Sequence, residues 1–166
     1  MGKLIFKLRG MGPGWIPVII LFFGMAKISS AMDIAAAEIP GLGVNVRTHV
    51  SAHAGEDYNP AIHPLGKALV YASDRDGAIN LWVQSLQGAW IGARPITTGS
   101  AGNSDPSWSP DGRFIAYRSN LTDPRGDIYI VGLDPDAGRL TSLPRRVTDQ
   151  QWGEREPVWD LDGRHL

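Results

Sequence analysis

One phrase recurs in this chain, and the recurrence constrains the fold more than any other feature. The best copy is DPSWSPDGRFIAYRS at residues 105–119, and a weaker copy, NPAIHPLGKALVYAS, occupies residues 59–73. A third copy, EPVWDLDGRHL, occupies residues 156–166. A repeat of roughly 50 residues made of short strands and turns is typical of a β-propeller blade.

Each of the first two copies heads a set of four predicted strands. The strands are rich in apolar, β-branched and aromatic residues, and the segments between them contain Pro, Asp and Gly. In the best set the predicted strands are residues 107–109, 113–119, 127–133 and 145–148. In the weaker set they are residues 60–63, 68–73, 80–86 and 94–97. Four antiparallel strands joined by hairpins make one propeller blade.

The positions that the copies share are predicted to be structural. Proline presets φ in the turn after the first strand, and glycine accepts a positive φ there. The tryptophan found at one position in two copies is predicted to pack between blades. The shared positions are Pro106, Trp108, Ser109, Pro110, Asp111 and Gly112 in the best copy, Pro157, Trp159, Asp162 and Gly163 in the third, and Pro60 and Gly66 in the first.

The spacing also predicts a strand upstream of the first copy. Thr97 and Thr148 each precede the proline of the following copy by nine residues, and Ser51 stands at the same distance before Pro60. Residues 46–51 are therefore predicted to be a fourth strand that closes the ring. The predicted order is closing strand 46–51, blade one 59–98, blade two 105–148 and the start of blade three 156–166. Because propellers need four or more blades, the fold class is all-β, an incomplete β-propeller of four-stranded antiparallel blades.

The N-terminal segment has the pattern of an export signal. Lys3, Lys7 and Arg9 precede the apolar run 15–26, and small residues follow at 29–31 and again at 35–37. This order predicts a signal peptide at residues 1–31 and a short linker at 32–45, with cleavage after Ala31 or Ala37. The apolar run is shorter than the roughly 20 residues of a spanning helix, so no stable membrane span is expected after cleavage. The predicted location is periplasmic or secreted.

Composition and motifs argue against several functions. A net charge of −1 disfavours a nucleic-acid partner, and the absence of cysteine excludes thiolate metal sites and disulfides. The chain contains no Gly-x-Ser-x-Gly motif, and the Asp-Gly pairs within 134–138 and 160–163 lack the closing Glu of a calcium loop. His49 and His53 are four residues apart, but a strand-like segment does not place such a pair on one metal, and no cysteine or carboxylate spacing completes a site with them or with His63. No catalytic, cofactor-binding or metal residue is therefore predicted.

Two further tryptophans are candidates for partner contacts. Trp90 and Trp152 lie in predicted loops, beside Gly92 and Gly153. Exposed loop aromatics are common anchors in protein interfaces, and the alternative is that they cover a neighbouring apolar face.

The motifs WSPDG at 108–112 and DRDG at 74–77 resemble the TolB-like, WD-like propeller repeat family, of which residues 46–166 look like an N-terminal fragment. The resemblance implies an exported, non-catalytic module that binds protein partners, such as cell-envelope components, without a cofactor. One alternative is the propeller part of a secreted serine peptidase-like hydrolase, or of a lyase, whose catalytic part is missing. A further alternative is a truncated gene product without independent function.

Overall fold

The computed structural model describes residues 19–23, 33–37, 55–89 and 91–166, and the chain divides into two units, Met1–Asp57 and Tyr58–Leu166. In the first unit, strand β1 (Ile19–Phe23) pairs antiparallel with β2 (Asp33–Ala37), with Ile19 opposite Ala37. β1 lies in the predicted signal peptide and β2 in the predicted linker. The predicted closing strand 46–51 lies outside the described residues. No helix in the described ranges is long and apolar enough to cross a membrane.

The first propeller sheet contains four strands in sequence order. They are β3 (Asp57–Ile62), β4 (Ala68–Ser73), β5 (Asn80–Ser85) and β6 (Arg94–Pro95). Every residue of β4 is buried, as expected for a strand that is covered on both faces. β4 pairs antiparallel with β5, with Tyr71 opposite Trp82. We call this sheet blade one.

The second sheet, blade two, repeats this arrangement with one addition. Its strands are β7 (Asn103–Trp108), β8 (Phe114–Ser119), β9 (Asp127–Asp134), β10 (Arg139–Leu140) and β11 (Arg145–Arg146). β7, β8 and β9 are neighbours in order, and both β10 and β11 pair antiparallel with β9. The outer strand of blade two is thus made of two short pieces.

The fold-class prediction is confirmed for the described residues, which form antiparallel β-sheets with the repeated arrangement of propeller blades. Several strand bounds differ from the prediction. The first strand of each blade begins about three or four residues earlier than predicted, and in blade two the pairing register shifts between Ser104 and Ser107. The outer strands are shorter than predicted. The residues that follow these short strands are still hydrogen-bonded to the neighbouring strand. Ile96 N donates to Leu81 O at 2.7 Å, and Val147 N donates to Ile128 O at 2.8 Å.

The core lies between the two blades. Alternation along β8 places Ile115 and Tyr117 in this core, where the Tyr117 ring stacks on Tyr129 with centroids 5.9 Å apart. Burial raises the pKa of Tyr117 to about 12. The buried core residues are Ala68, Val70, Ala72, Leu81, Val83, Ile96, Trp108, Ile115, Tyr117, Tyr129, Val131 and Leu133.

Candidate functional site

The contact between blade one and blade two, which we call the first seam, is centred on Trp108. This tryptophan ends β7, is buried, and donates its indole Nε1–H to the carbonyl oxygen of Ala61 in β3 at 3.1 Å. The His63 ring meets it edge to face, with centroids 4.8 Å apart and an interplanar angle of 81°. Trp108 therefore joins the blades through both apolar contact and one directed hydrogen bond.

The contact between blade two and residues 154–163, which we call the second seam, repeats this geometry. Trp159 donates its Nε1–H to the carbonyl oxygen of Ser107 at 3.1 Å. Ser107 is the repeat equivalent of Ala61, and Trp159 is the equivalent of Trp108. The third copy is therefore seated on blade two in the way that blade two is seated on blade one.

The turns at these seams are held by side chains and require glycine. In blade two, Ser109 Oγ donates to Asp111 Oδ1 at 2.6 Å, and that hydrogen bond lowers the pKa of Asp111. Gly112 has φ +70°, and a Cβ on it would lie 2.1 Å from His63 Nε2. Gly163 has φ +71° and lies against Pro110, where a Cβ would be 3.3 Å from Cδ. The shared glycine thus allows each turn to pack against the preceding repeat.

A strained residue precedes the proline in all three copies. Asn59, Asp105 and Glu156 have φ of 47°, 54° and 51°, which is unusual for residues other than glycine. The conformation is also unusual before proline, which favours extended backbone. In blade two this strain coincides with the register shift between Ser104 and Ser107. The strain recurs at equivalent positions, so it belongs to the repeat.

A buried polar network crosses the first seam at one end of the blades. Thr97 Oγ1 accepts a hydrogen bond from Leu81 N at 2.8 Å and donates to Asn80 Oδ1 at 3.0 Å. Asn103 Nδ2 donates to the same Asn80 oxygen at 3.1 Å. Asn80 and Asn103 are both buried, and Asn103 N also donates to Ile79 O.

The second seam has charged residues at the equivalent positions. Thr148 Oγ1 accepts from Ile128 N at 2.8 Å and donates to Glu154 Oε2 at 3.0 Å. Asp127 is fully buried and accepts a hydrogen bond from Arg146 at 2.8 Å through Oδ1. Among the described residues, Asp127 Oδ2 and Glu154 Oε1 have no hydrogen-bond partner. Sequence reasoning noted the spacing of Thr97 and Thr148 but missed the side-chain networks that they organise.

The carboxylates considered as calcium ligands cap turns. Asp134 Oδ1 accepts from Asp136 N and Ala137 N, and Asp160 Oδ1 accepts from Arg164 N at 2.9 Å. Asp160, Asp162 and His165 bring three ligand atoms within 4.8 Å of one another, so they are the group that could hold a metal in the described ranges. His165 Nδ1 already contacts Asp160 Oδ2 at 2.7 Å. These contacts are internal to the turn and do not indicate a bound metal.

The loops that carry the polar networks form one end of the blades, which we call the loop end. It comprises residues 74–79, 96–102, 120–126 and 147–155. Two open grooves of about 430 and 490 Å³ lie there and share Thr98, Gly99 and Ser100. The second groove is also lined by Leu121, whose side chain is exposed.

Trp152 lies at the loop end and is 79% exposed. Its neighbours hold it in place: Arg125 Nη1 donates to Gln151 O, and a Cβ on Gly153 would lie 2.4 Å from Arg125 O. Arg125 is itself bonded to Asp123, and this contact lowers the pKa of Asp123 to about 2. The other candidate anchor, Trp90, lies outside the described residues.

Repeated blades with equivalent seams define a partial β-propeller. Two of the solved structures to which the chain is similar are described as TolB proteins. It superposes on a protein assigned as TolB from Agrobacterium tumefaciens with a TM-score of 0.66 and 22% identity, covering 88% of this chain and 47% of that one. For TolB from Acinetobacter baumannii the TM-score is 0.60 and the identity 20%, covering 89% of this chain and 33% of that one. The chain therefore has a TolB-like fold.

Sequence comparison gives two curated relatives. One is an uncharacterised protein of Agrobacterium fabrum, 26% identical over 155 residues, which are 90% of this chain and 51% of that protein. The other is the uncharacterised peptidase YuxL of Bacillus subtilis, 30% identical over 87 residues, which are 52% of this chain and 12% of that protein. The chain thus spans about half the length of the first relative and much less of the second. No family model matches the chain.

Proposed function

We propose that this chain belongs to an exported, periplasmic TolB-like propeller that acts as a non-catalytic binding module for a protein partner at the cell envelope. The TolB-like fold and the basic, apolar and small-residue order of the N-terminus support this proposal. The fold alone does not specify a function, so the argument depends on the surface that the blades present.

The observation that carries the proposal is the exposed indole of Trp152. Tryptophan is enriched among the residues that dominate protein interfaces, and it is effective there when its backbone is already ordered. The hydrogen bond from Arg125 to Gln151 O and the close packing of Gly153 supply that order. The groove lined by Leu121 adds apolar surface at the same end of the blades.

Site-specific photo-crosslinking tests this proposal in the source cells. A photoreactive residue is placed at Trp152 and, as a matched control, at Leu161, which is 98% exposed in a turn at the opposite end of the strands. We expect one discrete protein to crosslink at position 152 and not at position 161. The purified partner should then bind Trp152→Ala at least about tenfold more weakly than the unmodified chain, a loss of about 1.4 kcal/mol. Equal crosslinking at both positions would contradict the proposal.

The relation to the peptidase YuxL supports a second candidate, that the chain is a propeller segment of a longer secreted peptidase. Propeller and catalytic domain would then be encoded in one reading frame. Sequencing the coding DNA and the transcript beyond the Leu166 codon decides between the candidates. A hydrolase elbow of the form Gly-x-Ser-x-Gly downstream would favour the peptidase. Further repeats followed by a stop would favour the binding module, and an immediate stop would favour a truncated gene product.

A further inference from the structure

His63 stands where the best copy has Ser109, and it gives the first seam a histidine at a position where the second seam has a serine. It follows β3, is 3% exposed, and contacts Trp108 across the seam. Of the titratable side chains, histidine has the ordinary pKa closest to neutral pH, whereas a serine at this position does not titrate. A buried histidine at a junction between blades is therefore a group whose protonation can act on the junction.

The surroundings of the ring suit the neutral form. His63 Nδ1 accepts a hydrogen bond from Leu65 N at 3.0 Å, so in this arrangement Nδ1 carries no proton. The Nε2 side lies against Gly112 of blade two, close enough that a Cβ there would be 2.1 Å away. The turn of blade two thus closes over the edge of the ring and limits access of water to it.

The charged groups around the ring are mostly engaged with other partners. Lys67 from the turn of blade one and Asp136 from the turn of blade two form an ion pair with Nζ and Oδ2 2.6 Å apart. In the turn over the ring, Asp111 is bonded to Ser109 Oγ and to Arg113 N, and the Arg113 guanidinium lies over the Phe114 ring. Arg94 donates to Ala137 O at 2.5 Å. Desolvation is the largest influence on the pKa of His63 and lowers it.

We propose that His63 makes the first seam acid-sensitive, so that the turn of blade two separates from blade one when the ring takes up a proton. A proton on Nδ1 would place a donor opposite the Leu65 N–H, and the hydrogen bond between them would be lost. A charged ring would also need water, which the closed seam excludes. In the second seam the position equivalent to His63 is Ser109, which does not titrate near neutral pH, and the nearby His165 is exposed and bonded to Asp160 within the turn of the third copy.

The direction of the effect follows from the pKa. In the closed seam the pKa of His63 lies below 6.5, and in the open seam the ring recovers its ordinary value near 6.5. Opening of the first seam is therefore accompanied by uptake of a proton, but only when the pH is below this ordinary pKa. Above pH 6.5, His63 does not reduce the stability of the closed seam. As the pH falls from 6.5 toward the lowered pKa of His63, the closed seam becomes less stable.

Hydrogen exchange of the two seam tryptophans tests the proposal in the full chain. The indole N–H groups of Trp108 and Trp159 are followed by NMR from pH 7.5 to pH 5.0, with the intrinsic pH dependence of exchange divided out. We expect the protection of Trp108 to fall by about tenfold over this range while that of Trp159 changes by less than about twofold. Equal changes in both seams, or no change in the first, would overturn the proposal.

Two variants separate titration from packing. His63→Ser installs the residue of the second seam, and His63→Asn keeps a side-chain acceptor for the Leu65 N–H without a group that titrates in this range. Both variants should abolish the pH dependence of Trp108 protection. A persistent tenfold change in either variant would assign the effect to another group. If His63→Ser does not fold, His63→Asn and the comparison of the two tryptophans in the unmodified chain still decide the question.

Discussion

The two seams share a backbone arrangement and differ in polar chemistry. In both, the tryptophan of the repeat donates its Nε1–H to a carbonyl oxygen of the preceding repeat, at 3.1 Å in each case. In both, a glycine with φ near +70° approaches the preceding repeat in the following turn. The first seam adds His63 and the Asn80–Thr97–Asn103 network, whereas the second has Ser109 and the charged residues Asp127 and Glu154.

This difference shows which positions are fixed by the geometry of the repeat and which can vary from one seam to the other. The tryptophans bond to the backbone of the preceding repeat and the glycines lie against the side chains of its turn, so the identity of these positions is set by the shape of the repeat. The polar positions only have to satisfy one another, so amides can serve in one seam and an acid with a hydroxyl in the other. The first seam, with its amides bonded to each other, is expected to be the more stable at neutral pH.

Truncation of the seam tryptophans should give the largest effect and the sharpest contrast. Trp108→Ala removes a buried side chain from the core and is expected to lower the free energy of unfolding by about 3–5 kcal/mol. Trp159→Ala should cost about half as much, because Trp159 is only partly buried. Urea unfolding monitored by circular dichroism measures both. Equal losses would show that the second seam is as tightly packed as the first.

Replacing the turn glycines by alanine should give the next largest loss in the free energy of unfolding. Gly112→Ala forces a left-handed alanine and a Cβ clash with the His63 ring, so we expect a loss of about 2–3 kcal/mol. Gly163→Ala meets only Pro110 at 3.3 Å and should lose about 1 kcal/mol. The double variant His63→Ser with Gly112→Ala should recover part of the loss by removing the ring. If the double variant is no more stable than Gly112→Ala, the backbone conformation alone explains the cost.

The sequence predicts the central strands well because their signals are local. β4, β5, β8 and β9 are apolar and β-branched runs between turn residues, and their bounds agree with the predictions to within about one residue. The early start of β7 was missed. It depends on the strained Asp105 and the register shift beside it, which no local preference indicates, since a residue before proline is expected to be extended.

The seam contacts could be predicted only in part. The repeated tryptophan and glycine positions follow from aligning the copies, but the atoms that they meet lie about one repeat away in the chain. The close packing of Gly112 on His63 is an example, because nothing in the sequence near either residue refers to the other. The network of Thr97 with Asn80 and Asn103 is also missed, because its side chains come from different segments of the chain and meet only when the two blades pack together.

The seam threonines give the smallest of these effects and test the polar comparison directly. Thr97→Val keeps the shape of the side chain and removes the acceptor for Leu81 N and the donor to Asn80, both inside the first seam. We expect a loss of about 1–2 kcal/mol in the free energy of unfolding. Thr148→Val, in the more exposed second seam, should lose about 1 kcal/mol, since water can replace the donor to Glu154. Thr98→Val, at an exposed neighbouring position, is the matched control and should change stability by less than about 0.5 kcal/mol. A larger loss in Thr148→Val than in Thr97→Val would mean that the charged network, with its unpartnered oxygens at Asp127 and Glu154, depends on its threonine more than the amide network does.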